Sequence, residues 1–255
     1  MIDILKIEIA KIVRSKSFLW MIILLSASIS LTLLGEYYFI VTNKNEQPNL
    51  VHLIYSLYAV NATTFFPLII AYFFISVLND EFKLKTIKIL FGSIMDRETI
   101  YMAKFIASAV IFVSIFSIMI LASTVLLSIV TDINRINIEY YAITYREALW
   151  RIIITTIIGE VYFLCIGSYS MLIDAIFENQ GVAVIIFFMT VLLCSVIPLP
   201  QWLTNYFFLK GQTFFAFLDM FEFDWLEFMK YVALFIVYIA AFSGIGCFIF
   251  SKKQI

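Results

Sequence analysis

Glu160 and the charged run at residues 79–104 carry chemistry that packing alone does not require. Glu160 lies in T-I-I-G-E-V-Y-F-L, where a carboxylate is costly and normally faces a polar interior. Two readings are open for it. It could line a substrate pathway and meet cationic groups, or it could be a protonated or paired structural acid beside Gly159. Nothing else resembles a reaction centre. His52 is the single histidine, and Cys165, Cys194 and Cys247 sit in apolar runs without a C-x-x-C spacing, as buried small hydrophobes do. No metal site is expected. There is no G-x-x-x-x-G-K-[ST] loop; Lys210-Gly211-Gln212-Thr213 is the nearest approach and lacks the rest. H-E-x-x-H and G-x-S-x-G are absent as well. The chain is therefore expected to be no enzyme and to hold no cofactor of its own.

Those residues must be positioned by membrane helices. The chain is 63% hydrophobic and only 14% charged, with a mean hydropathy of +1.01. Soluble domains carry nearer a quarter charged residues, so the composition is that of a membrane protein. A net charge of -1 argues against a nucleic-acid partner. Apolar runs long enough to cross a bilayer are expected at residues 18–41, 53–78, 100–130, 148–173 and 229–250, with a shorter one at 182–196. The first is too long for a signal-peptide core. Pro67 is expected to kink the second span. Residues 174–180 read as a tight polar turn. Ser26 and Ser30, Ala240 and Gly244, and Ser243 and Cys247 are small residues four apart that would admit close helix neighbours.

Residues 1–16 carry Ile2, Leu5, Ile9 and Ile12 at helical spacing, with Lys6, Lys11, Arg14 and Lys16 among them. A short interfacial helix facing anionic lipid fits this pattern. Residues 199–228 are aromatic and mixed, after the helix-breaking Pro198 and Pro200, and read as short helices dipping into the membrane before the last span. Their acids Asp219, Glu222, Asp224 and Glu227 could attract cationic peptides or form a solvated face. Of the 17 Lys and Arg residues, all but Lys44, Arg135, Arg146, Arg151, Lys210 and Lys230 fall on one side. The positive-inside rule then puts both termini in the cytosol.

The charged run joins the second and third spans. On a helix, Glu81, Lys85 and Lys88 share one face, and Phe82, Thr86 and Ile89 form a neighbouring stripe. Gly92-Ser93 break that helix, and Ser93-x-x-Asp96 resembles a capping box for the next. Lys104 is expected to snorkel back to the headgroups. An ordinary positive loop would also account for the charge.

Glu81-x-x-x-x-Thr86-Ile87-Lys88, Phe91-Gly92-Ser93-x-x-x-Arg97 and Ile100-Tyr101-x-x-Lys104 resemble the signature connection of ABC-2 type permeases. These are membrane subunits of bacterial ATP-driven exporters, here closest to the peptide-antibiotic self-protection and peptide or lipid efflux branch. The chain departs from many members in carrying Lys85 where they have Gly. The resemblance implies an all-α membrane protein with six transmembrane helices. It also implies an interfacial N-terminal helix (1–16), a cytosolic coupling helix (79–98) and an outer membrane-dipping segment (199–228), all in one domain over 1–255. It implies that Asp80, Glu81, Phe82, Lys83 and Thr86 contact an ABC ATP-binding subunit, with Lys88 and Arg97 bracing the elbow. ATP and Mg would belong to two copies of that partner. A second permease copy, identical or homologous, would complete a cleft for an amphipathic peptide or lipid-like substrate in the bacterial plasma membrane. The competing readings are a non-transporting anchor or immunity protein that binds a toxin or sensor, and a lipid-modifying membrane enzyme, for which no catalytic cluster can be assembled.

Overall fold

The computed structural model of the chain describes residues 2–44, 50–62, 64–84, 96–130, 137–138, 141–142, 144–177, 179–196, 207–209 and 225–252. Among the described residues the protein is all-α apart from one two-residue antiparallel pairing, Asn137–Ile138 with Tyr141–Ala142. The α-helices described there are, in order: α1 (Ile2–Val13), α2 (Lys16–Phe39), α3 (Leu50–Asn61), α4 (Phe65–Leu84), α5 (Arg97–Val130), α6 (Tyr145–Phe177), α7 (Gln180–Val196) and α8 (Trp225–Lys252). A π-helical turn, Ile40–Lys44, extends α2.

Among the described residues four helices, α2, α5, α6 and α8, are long and apolar enough to cross a bilayer. The pair α3 and α4 meets the same criterion together, bent by 59°. The segment expected as a fifth span is α7, whose 17 residues reach roughly 25 Å, somewhat short of a ~30 Å hydrocarbon core. The apolar faces of α2, α5, α7 and α8 point outward, with Leu31, Ile129, Leu193 and Val237 each more than half exposed. That is the arrangement hydrocarbon favours, since every helical backbone group is bonded internally.

The second span is bent by 59° between α3 and α4, as expected for a span that carries Pro67. The bend falls just before the first turn of α4, where Pro67 has no amide to donate back across the break and its ring would crowd the carbonyl four residues earlier in an unbroken helix. Residues 174–180 are not one polar turn. α6 continues to Phe177 with Asp174 fully buried, and α7 opens after Asn179, whose Oδ1 accepts from the amides of Gly181 at 3.0 Å and Val182 at 3.3 Å.

The core is organised on α6, which packs against α3, α4, α5, α7 and α8. Its most apolar window is 61% buried, against 17–33% for the other three long helices. Phe66 of α4, Phe112 and Phe116 of α5 and Phe163 of α6 form a ring cluster with centroids 5.3–6.3 Å apart. Each such pair contributes about 0.5–1.5 kcal/mol beyond its buried area. Gly167 lets α6 approach α4, because a Cβ there would lie 2.8 Å from the Phe74 ring. A second cluster joins Tyr169 of α6 to Tyr238 and Phe242 of α8 through Phe208, whose ring lies 5.1–5.3 Å from all three. Phe208 is the one buried point among the described residues of the 199–228 segment before α8 begins.

The expected small-residue contacts are only partly those that form. Ser26 and Ser30 are exposed, and Ser28 and Thr32 take the contact instead. Asn61 of α3, fully buried, donates to Thr32 Oγ1 at 2.8 Å and to the Leu57 carbonyl at 2.9 Å, and accepts from the Ser28 hydroxyl. On α8, Gly244 is exposed and meets nothing within 4 Å among the described residues, whereas Gly246 faces α5. A Cβ at Gly246 would collide with the hydroxyl of the fully buried Tyr101. Gly246→Ala should therefore lower the apparent melting temperature in detergent, the overpacking cost of about 1–3 kcal/mol outweighing the roughly 1 kcal/mol gain in helix propensity. Among the described residues the Tyr101 hydroxyl has no hydrogen-bond partner, so Tyr101→Phe should restore much of the loss. Gly244→Ala should leave the melting temperature unchanged or slightly raised.

Candidate functional site

The sequence-predicted coupling residues divide across the structure. Asp80, Glu81, Phe82 and Lys83 belong to the last turn of α4. Thr86 and Lys88, with most of the expected coupling helix, lie outside the described residues. Arg97 is the first residue of α5 and is half-buried. Asp96 stands at the N-cap position, its carbonyl accepting from the Ile100 amide at 3.3 Å, while its expected partner Ser93 lies outside the described residues. α4 thus leads into the connection and α5 leads out of it.

Just inside these two arms lies a layer of buried polar residues. Lys104 of α5 does not snorkel to the headgroups, because it is only 2% exposed. Its ammonium donates to Glu8 Oε2 at 2.9 Å and to the Val77 carbonyl of α4 at 3.4 Å. Glu8, on the face of α1 shared with Ile12, is 4% exposed and also accepts from Lys11 at 2.9 Å on its other oxygen. A lysine this deep has too little reach to return to water, so it takes a carboxylate that packing brings to it. Two residues along α4, the Asn79 amide donates to Asp174 Oδ1 at 3.0 Å, and both are buried. Tyr101, one turn before Lys104, packs on Gly246 and 5.7 Å from Phe250 at the end of α8. The connection's arms are thereby tied to α1, α6 and α8 at one end of the bundle.

Glu160 occupies a separate polar pocket deeper in the bundle. It is 7% exposed and accepts from the Ser117 hydroxyl of α5. One turn away, Thr156 accepts from the Tyr58 hydroxyl at 3.0 Å and donates to the Ile152 carbonyl at 2.7 Å. Glu160 therefore sits in the seam where α3, α5 and α6 meet. At the opposite end, Arg151 donates to Glu147 at 2.9 Å, and the Trp150 and Trp225 rings meet edge to face.

Sequence reading passed over Glu8, and it gave Asn79, Asp174 and Tyr101 no buried role. Glu8 had a usable signal, being a carboxylate between Leu5, Ile9 and Ile12 on the apolar side of α1. An acid on the wrong face of one helix and a base inside an apolar span are each costly alone and compatible together.

A family model described as ABC-2 family transporter protein matches residues 4–193. The chain belongs to the ABC-2 transporter family. No curated protein matches it. The matched region of this ABC-2 permease runs from α1 into α7 and takes in the connection, the buried layer beside it and Glu160. As a family member the chain is a multi-pass membrane transport component, not itself catalytic, and works with an ABC ATP-binding partner.

Burial pushes the Glu8 carboxyl up, but the charge and hydrogen bond of Lys104, aided by Lys11, outweigh it and hold the group below its ordinary 4.5. A depressed carboxyl stabilises fully above its unfolded value and loses that contribution as pH falls through the folded one. The protection factors of the α1 amides, each observed exchange rate referred to the intrinsic rate at the same pH, should therefore fall as the pH drops below 4.5. In Glu8→Gln protection should be low on both sides of that window, and an unchanged pH profile of protection in the variant would refute the assignment.

Proposed function

We propose that this protein is the permease subunit of a bacterial ATP-driven exporter that moves an amphipathic substrate, an antimicrobial or other membrane-active peptide or a lipid-like compound. The whole chain, 1–255, serves as one transmembrane domain. Two copies, identical or homologous, pair with two ABC ATPases that carry ATP and Mg. The reading takes six spans, with both termini in the cytosol, α1 in the inner headgroup layer and the segment 199–228 dipping into the outer leaflet. Asp80, Glu81, Phe82, Lys83 and Thr86 contact the ATPase, and Lys88 and Arg97 brace the elbow.

The observation that carries this reading is the family match together with the attachment of both arms of the connection to the bundle. Nucleotide-driven closure does work in the membrane only if a rigid element moves the spans with it. Asn79 and Lys104 give the arms that attachment on either side of the charged run. Exposed apolar and aromatic faces of α2 and α7 suit a cleft between two permeases for an amphipathic guest. Glu160 would join the substrate pathway when the seam between α5 and α6 parts, exchanging its bond to Ser117 for a cationic group of the substrate.

Co-purification with an ABC ATPase encoded beside the gene tests the assignment. The wild-type complex should assemble and hydrolyse ATP, and Glu81→Lys should lose assembly or at least tenfold in hydrolysis, the equivalent of about 1.4 kcal/mol. Normal assembly and turnover in the variant would remove the coupling role from Glu81.

A further inference from the structure

The connection end of the bundle holds one charge arrangement that transport by moving spans does not by itself explain. A single ammonium, Lys104, touches three elements: the Glu8 carboxylate on α1, the Val77 carbonyl on the incoming arm, and its own outgoing arm α5. Glu8 is shared as well, Oε1 taking Lys11 and Oε2 taking Lys104. With both oxygens committed, the carboxylate accepts only one axial and rotational setting of α1 against α5. The apolar side of the same contact, Ile12 with Leu5 and Ile9, lacks that selectivity, because apolar burial is non-directional. Buried ionic groups are best attested in this role of setting register.

We propose that Glu8 is a positioning residue that, through Lys104, locks α1 and both arms of the connection into one body, with the Asn79–Asp174 bond as that body's joint to α6. A displacement of the connection then carries α1 with it instead of sliding past it. The N-terminal helix becomes part of the moving machinery and not merely an anchor. This deepens the proposed function and depends on it only where nucleotide enters.

The test uses the full-length permease in lipid nanodiscs, with Cys165, Cys194 and Cys247 replaced by Ala and spin labels on Ala10→Cys of α1 and Ile176→Cys of α6, both exposed. In the permease alone, the unmodified pair should give one narrow distance. Glu8→Lys and Lys104→Glu should each broaden it, and the double swap E8K/K104E should narrow it again. If the reversed single variants do not fold, Glu8→Gln and Lys104→Gln should show the same broadening. Single variants that keep the narrow distance, or a swap that fails to restore it, would overturn the lock. In the complex with the ATPase, trapping with ATP should shift the distance in the parent and the swap, and the shift should be lost in the single variants. A shift of wild-type size in the single variants would overturn the coupled motion. The first measurement needs no ATPase and decides the lock alone, whereas an ATPase that never binds counts against the proposed function.

Discussion

A lysine ammonium away from water needs a carboxylate, and the connection end of this molecule is built around meeting that need for Lys104. Desolvation of a buried ion costs several kcal/mol, and removing one partner of a buried pair costs about 3–5 kcal/mol. Glu8 must therefore stay where α5 places Lys104, which fixes α1 beside the third long stretch of the chain. The Val77 carbonyl, 3.4 Å from the same ammonium, brings the incoming arm into the arrangement. Three elements distant in sequence are thus held at one point beside the charged connection.

The remaining polar residues follow the same constraint along α6. Arg151 is answered by Glu147 within the helix, Thr156 by Tyr58 of α3, Glu160 by Ser117 of α5 and Asp174 by Asn79 of α4. Lipid tails are as apolar as leucine, so packing and interhelical hydrogen bonds must hold such helices together. α6 combines both. Gly167 admits the Phe74 ring, and the Phe66, Phe112, Phe116 and Phe163 rings fill the space where α4, α5 and α6 converge. Among the described residues, the helix that takes these polar partners is also the most buried of the long helices.

Much of this was legible before any coordinates. Hydropathy alone marks the helices at residues 18–41, 100–130, 148–173 and 229–250, and each falls within or against a long helix of the structure. The run from Glu81 to Lys104 resembles the signature connection of the ABC-2 family, to which the match over 4–193 assigns the chain. Pro67 marked the bend in the second span, where the helix breaks and restarts just before the proline. Asp174 was assigned to a turn because an aspartate near a polar cluster resembles a loop residue until a partner is known. Gly244 was preferred to Gly246 because a four-residue spacing of small residues says nothing about which way the helix is rotated.

What the sequence by itself determined is the solvent and the class: a chain so apolar has to live in a bilayer as helices, and its one dense charged run stands apart from them as a connection between spans. Those properties are sums over residues or runs of neighbours, so they survive without knowledge of contacts. Tertiary structure alone decided which polar residues answer one another. Glu8 with Lys104, Asn79 with Asp174, and Ser117 with Glu160 are separated by 96, 95 and 43 positions in the chain. In a helix apolar on nearly all sides, periodicity carries almost no record of rotation. Only packing sets that rotation, and with it the partner each buried group meets.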